Sequence, residues 1–242
     1  FLSIVFFTNA IQAQKLDAFL TVNRFYQPIV EEHYVEISFL VPAAAANYAL
    51  NKNSKYQAQL KVSIQLDNGK DFTNGKTYLL QSPEYTSIID INTNLTDLLR
   101  LNAPENDTIK LSVQIEDVND SSFFYNQLEI FIPKTKEVFL SDVMLVNNIE
   151  NKEKNNAFSR NGLLVVPKFL NYYPTEIEEV KFYTEFYQLE KKENYLVSYL
   201  LTNEEGVFVD GYAAHKKILE KKYETIISGF NISKLPSGNY YL

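Results

Sequence analysis

Glu116, Asp117 and Asp120 place three carboxylates within five residues, with Asn119 between them. Calcium takes six to eight oxygen ligands and favours charged carboxylates, so this segment is the candidate metal loop. Asp67, Asn68 and Asp71 form a lesser version of the same pattern. Neither cluster shows the full 12-residue calcium-loop spacing. The competing account is that both are turn residues, chosen because Asn and Asp bond their own backbone.

Aromatic pairs offer a second chemistry. Tyr172-Tyr173 and Tyr240-Tyr241 could stack on sugar rings, and Tyr172 and Tyr173 are the candidate ligand-binding residues. Trp is the more usual platform for this, and the chain has none. Glu176, Glu178 and Glu179 are the densest acidic group. Carboxylate pairs for glycoside hydrolysis are a spatial property that spacing alone does not reveal, and a solvated loop is the favoured account of this group.

Other chemistries lack their parts. With Cys at 0 there is no disulfide framework, Cys nucleophile or thiolate metal site. His33 and His215 stand far apart with no neighbouring His, whereas a histidine zinc site needs two or three ligands. Both are expected as surface or edge-strand residues. There is no G-x-S-x-G elbow and no Gly-rich phosphate loop, so no catalytic residues and no cofactor are expected. A net charge of -7 argues against nucleic acid as the main partner.

The segments that would position these residues alternate with period two, the mark of half-buried strands. Tyr34–Phe39, Leu60–Leu66, Ile109–Glu116, Val180–Tyr187 and Tyr195–Thr202 all show it. Asn68-Gly69 predicts a tight type I′ hairpin, with a returning strand over Asp71–Leu80. Phe124–Ile132, Val138–Val146, Gly162–Val166, Val207–Val209 and Lys222–Ile227 read as further strands, and Asn147–Asn156 as a polar loop. Thr93–Leu99 could form one capped helical turn. Ala213–Tyr223 has helical composition, but a strand pair fits its surroundings better.

Val180–Tyr187 carries aromatics on both faces: Phe182 and Phe186 on one, Tyr183 and Tyr187 on the other. The second face is expected to pack on a neighbouring domain or partner, or to make ordinary cross-strand pairs. A faint repeat links Leu98–Leu111 to Phe230–Leu242. Each has apolar residues, a Pro-containing polar turn and a strand start. In the second copy Tyr240 is placed to close a tyrosine corner.

These features predict an all-β chain of two tandem antiparallel β-sandwich domains, immunoglobulin- or fibronectin-like, over 14–133 and 137–242. Pro133–Glu137 is the expected boundary. A single large sandwich or barrel is the alternative. Phe1–Phe7, followed by small residues to Ala13, reads as a signal-peptide remnant over 1–13; the alternative is a buried strand. No stretch approaches the ~20 apolar residues of a membrane span. Ser237–Leu242 reads as the opening of a strand, so the second domain is expected to continue past Leu242 in the natural protein.

Leu140-Ser141-Asp142-Val143, Asn161-Gly162-Leu163-Leu164-Val165-Val166-Pro167, Phe182-Tyr183-Thr184-Glu185 and Leu235-Pro236-Ser237-Gly238-Asn239-Tyr240 follow one another in order. With Leu80-Gln81-Ser82-Pro83-Glu84 upstream, the chain resembles the N-terminal region of the GWxTD domain-containing exported proteins of Bacteroidetes-type bacteria. That resemblance implies export, a β-rich N-terminal half and a C-terminal domain bearing the Gly-Trp-x-Thr-Asp motif. The motif needs Trp, which this chain lacks. The resemblance implies no activity and no site residues.

The expected function is therefore a non-enzymatic scaffold or interaction module at the cell envelope, in the periplasm or at the cell surface. Its expected partner is another protein or the chain's own C-terminal domain. The alternative is a carbohydrate-binding module serving a missing C-terminal domain, with a glycan as ligand.

Overall fold

The computed structural model describes residues 15–151, 156–190 and 193–242. The expected signal peptide lies outside the described residues. The first half of the chain forms β1 (Phe19–Gln27), β2 (Glu32–Val41), β3 (Ala49–Leu50), β4 (Tyr56–Gln57), β5 (Gln59–Asp67), β6 (Thr73–Gln81), β7 (Leu95–Ala103), β8 (Asp107–Asp117) and β9 (Phe123–Ile132). After 133–137 come β10 (Val138–Leu140), β11 (Met144–Asn151), β12 (Ser159–Arg160), β13 (Leu163–Pro167), β14 (Glu179–Gln188), β15 (Tyr195–Asn203), β16 (Phe208–Ile218), β17 (Tyr223–Asn231) and β18 (Tyr240–Tyr241). No α-helix occurs among the described residues, and none is long and apolar enough to cross a membrane.

The architecture is an all-β antiparallel sandwich. In the first half the sheet β1-β2-β7 faces the sheet β6-β5-β8-β9. Alternation explains the core between them. Val35, Ile37, Phe39 and Val41 of β2 meet Leu60, Val62, Ile64 and Leu66 of β5 and Ile109, Leu111, Val113 and Ile115 of β8. All twelve are at most 1% exposed. Each such side chain contributes up to about 1.5–3 kcal/mol by leaving water.

The second half repeats this connectivity. β11-β14-β17 takes the place of β1-β2-β7, and β16-β15-β18 that of β6-β5-β8. β10 and β11 share one edge of β14, and β13 and β12 extend the sheet beyond β11. The repeat seen in sequence is the paired passage from β7 to β8 and from β17 to β18. At the second, the Tyr240 hydroxyl donates to the Pro236 carbonyl oxygen at 2.9 Å, closing the tyrosine corner.

Several expectations change. Asn68-Gly69 does not form a two-residue turn. Gly69 has φ +71 while Asn68 stays out of the left-handed region. Asn68 instead donates its N–H to the Phe72 carbonyl oxygen, closing a longer loop, and the return strand starts at Thr73. Thr93–Leu99 is not a helical turn. β7 begins at Leu95, because β2 offers an edge from Val41 to His33 that pairs with all nine of its residues. The segment Val138–Val146 breaks at Ser141–Val143, where Asp142 turns aside to meet β1. Much of the expected polar loop at Asn147–Asn156 is strand, since β13 pairs with β11 as far as Asn151; 152–155 lie outside the described residues.

The halves do not hang apart on a linker. β2 is buried on both faces: Val35, Ile37, Phe39 and Val41 enter the first core, while Glu36 and Ser38 face away from it. β14 is likewise buried on both faces from Phe182 onward. The outer face of β1 and β2 lies against the outer face of the β14 sheet. Phe25 of β1 shares one apolar cluster with Met144, Val146, Val165 and Tyr183. The result is four stacked sheets.

Candidate functional site

The densest buried polar cluster among the described residues lies in the seam between the halves. Period-two geometry sends Tyr183, Glu185 and Tyr187 out of β14 toward the first half, and Glu36 out of β2 to meet them. Arg160 of β12 enters between the two carboxylates. It pairs with Glu36 and, at 3.1 Å, with Glu185. Its guanidinium carbon lies 3.8 Å from the Phe25 ring centroid, a cation–π contact. Arg100 of β7 donates to the same Glu36 carboxylate at 2.8 Å. Two carboxylates and two guanidinium groups thus balance.

Both oxygens of Glu185 are engaged. Tyr183 and Tyr187 donate their hydroxyls to the two oxygens of Glu185. The Tyr187 hydroxyl oxygen in turn accepts the Tyr26 backbone N–H of the first half at 3.1 Å. Asn161 donates to Glu185 at 3.3 Å. Burial works against the Arg160 charge, but Glu36 and Glu185 outweigh it and hold the guanidinium protonated. Burial, reinforced by the Glu185 charge, pushes the Tyr183 and Tyr187 hydroxyls well above their ordinary range. The Glu36 and Glu185 side chains are 1% and 4% exposed. No substrate touches them unless the seam opens, so this charge cluster is an internal joint.

A second joint lies toward the edge of the seam. Arg24 of β1 forks onto Asp142, with Nη2 2.6 Å and Nε 2.9 Å from its two oxygens. The Arg24 N–H donates to the same carboxylate at 2.8 Å, and the Asp142 N–H returns to the Arg24 carbonyl oxygen at 3.1 Å. The third Arg24 nitrogen reaches the Phe131 carbonyl oxygen at 2.7 Å.

His33 is buried here on a central strand, contrary to the surface or edge-strand position expected for it. Thr135, in the connection between the halves, covers it, with Oγ1 3.0 Å from Nε2. Tyr26 and Phe139 flank its ring at 5.1 and 6.0 Å. Burial holds its pKa below the ordinary value, Glu105 opposes this, and Arg24 adds to it. His215 does lie on the surface, beside Ser198 Oγ at 2.8 Å.

The other candidates have plainer surroundings. The Asp117 carboxylate accepts the backbone N–H groups of Asn47 at 2.6 Å and Asn119 at 2.9 Å. Asp120 accepts the N–H of Ser122 at 2.8 Å. Glu116 projects from the opposite face of β8, in line with Lys61 and Phe123. Asp117 and Asp120 are thus brought together as ties of their loop, and Glu116 is not with them. No group of three or more His, Asp or Glu side chains gathers at metal-binding distance among the described residues.

Tyr172 and Tyr173 diverge. Tyr172 is 70% exposed. Tyr173 packs on the cluster of Val180, Leu201 and Phe230, under the Lys168 ammonium 4.5 Å from its ring. Burial pushes its hydroxyl up to about 12.

The aromatic second face of β14 was the one sequence signal pointing at the seam. Glu36 and Glu185 carried no signal of their own, since a lone carboxylate in an alternating strand reads as a residue of the solvent face. Arg160 carried none, since it follows a polar stretch with no periodicity. No family model and no curated protein matches the chain.

Proposed function

We propose that this chain is a non-enzymatic, exported scaffold or interaction module working at a bacterial cell envelope. The observation that carries this reading is the seam. Its most perturbed ionisable groups, Arg160, Tyr183 and Tyr187, are spent on holding two β-halves face to face. Such a joint gives a stiff body whose loops and sheet faces keep fixed relative positions, which suits presentation to a partner. The proposed organisation is two tandem sandwich domains, 14–133 and 137–242, exported through a leader over 1–13. The resemblance to GWxTD-type exported proteins supports the compartment, and a C-terminal domain of the same polypeptide is one candidate partner. Support for glycan binding is limited to the exposed ring of Tyr172.

The test has two arms in the source organism. Cell fractionation places the protein, and photoreactive residues at Tyr172, Ile89 and Phe208 capture neighbours. Envelope recovery with a reproducible crosslinked protein supports the reading. Recovery in the cytoplasm overturns it. So does turnover of a glycan or ester that one carboxylate or Ser substitution abolishes.

A further inference from the structure

The loops at the end of the first half away from 133–137 surround a cleft of about 690 Å³. That volume falls within the range of ligand sites. One wall is Ala43–Ala46, which follows β2 in a short 3-10 turn. Four alanines in succession carry nothing beyond Cβ, so the turn leaves open the space that larger residues would fill. Ile88 and Ile91, from the loop before β7, also line it. Ile88 is 58% exposed and its neighbour Ile89 93%, so apolar surface is held in water here.

Asp120 is the one charged residue among those lining the cleft; no Lys or Arg lines it. Burial works against its ionisation, but hydrogen bonds from Ser122 and Asn47 outweigh this and keep the carboxyl below its ordinary value. The cleft therefore carries a fixed negative charge at neutral pH. The Tyr48 hydroxyl, on the same lining, is buried with no hydrogen-bond partner. An open cleft that sets alanines and isoleucines beside Asn47, Asn94 and one anion fits a particular side-chain chemistry. An alkyl stem packs on the alanines and isoleucines, and a cationic head reaches the carboxylate. Acidic ligands are repelled by Asp120 and by the net charge of -7.

We propose that this cleft is a docking site for a basic side chain, lysine or arginine, presented by a partner protein. The proposal rests on the interaction-module reading and names the chemistry of its partner.

Hexylammonium, hexanol and hexanoate serve as matched probes, titrated into the isotopically labelled 242-residue chain and followed by amide chemical shifts. Hexylammonium is expected to shift residues 43–48, 88–91 and 120 saturably. Hexanol and hexanoate should bind about fivefold more weakly or worse, as befits one partly exposed charge contact. Asp120→Asn keeps the acceptor for the Ser122 N–H, and should lower hexylammonium affinity to that of hexanol. Ala44→Trp, at an exposed position, should block all three probes. Equal binding of hexanoate or hexanol overturns the proposal, as does an unchanged hexylammonium affinity in Asp120→Asn or shifts mapping elsewhere. If the probes fail while photo-crosslinking still captures an envelope partner, the cleft is wrong and the module reading stands. If the probes bind as expected but the protein is cytoplasmic, the module's envelope role falls alone.

Discussion

Arg160 and Glu36 are 124 residues apart in sequence and form a buried ion pair, their side chains 5% and 1% exposed. The pair crosses the seam between the two halves of the chain. Breaking such a pair leaves a charge in the interior with no partner, which typically costs about 3–5 kcal/mol. Arg160→Met leaves Glu185 with no cation and Glu36 with Arg100 alone, and should lower unfolding free energy by that order, measured by urea denaturation. A loss under 1 kcal/mol would show that the seam is hydrated and the pair dispensable.

The Arg24–Asp142 fork should be worth less. Its side chains are 37% and 29% exposed, so solvent screens much of the attraction. Asp142→Ala is expected to cost about 1 kcal/mol. Its clearer effect is local: protease cleavage at 133–137 should accelerate. Unchanged cleavage would mean the buried cluster alone holds the halves.

His33 makes the seam sensitive to mild acid. Its pKa in the fold lies below the ordinary value near 6.5 because burial favours the neutral ring. The unfolded chain therefore binds more protons as pH falls through that range, and stability falls with it. The melting temperature should drop as pH is lowered from about 7.5 toward 6. His33→Gln should flatten that slope. A wild-type slope unaltered by His33→Gln would assign the effect to other groups.

The corner before β18 rests on one hydrogen bond, from Tyr240 to the Pro236 carbonyl oxygen. Tyr240→Phe removes the donor and keeps the ring. It should cost about 0.5–1.5 kcal/mol and speed amide exchange around 236–241 while leaving β5 and β8 protected. Uniform change across the molecule would contradict a local role.

The equivalent strands β5 and β15 differ in cover. β8 pairs with β5 from Leu60 to Asp67, whereas β18 pairs with β15 only at Thr202 and Asn203. Inward residues of β15 such as Val197 and Tyr199 are accordingly only partly buried, while Leu60, Val62, Ile64 and Leu66 are at most 1% exposed. In this 242-residue chain, alternate amides of Tyr195–Leu200 should exchange much faster than those of Leu60–Leu66. Equal protection would show that something else covers that edge.

Alternation in Leu60–Leu66 and Ile109–Glu116 reads directly as strand because each position needs only to know which face it is on. Pro236 and Tyr240 announce their corner for a similar reason: the bond spans four residues. These features made the all-β class legible from residue order. The joint was not. Glu36, Arg160 and Glu185 are ordinary charged residues in a chain where 22% are charged. Their meaning comes from β2 and β14 being buried on both faces, and two-sided burial follows from the halves docking rather than from any local pattern. The same logic sent Tyr173 inward and Tyr172 outward. It turned Asp117 toward the backbone of Asn47 and Asn119 and Asp120 toward that of Ser122, and brought Asp120 and Ile88 to the lining of one cleft. Contacts within one strand follow from its period, while contacts between sheets follow from which surfaces lose water together.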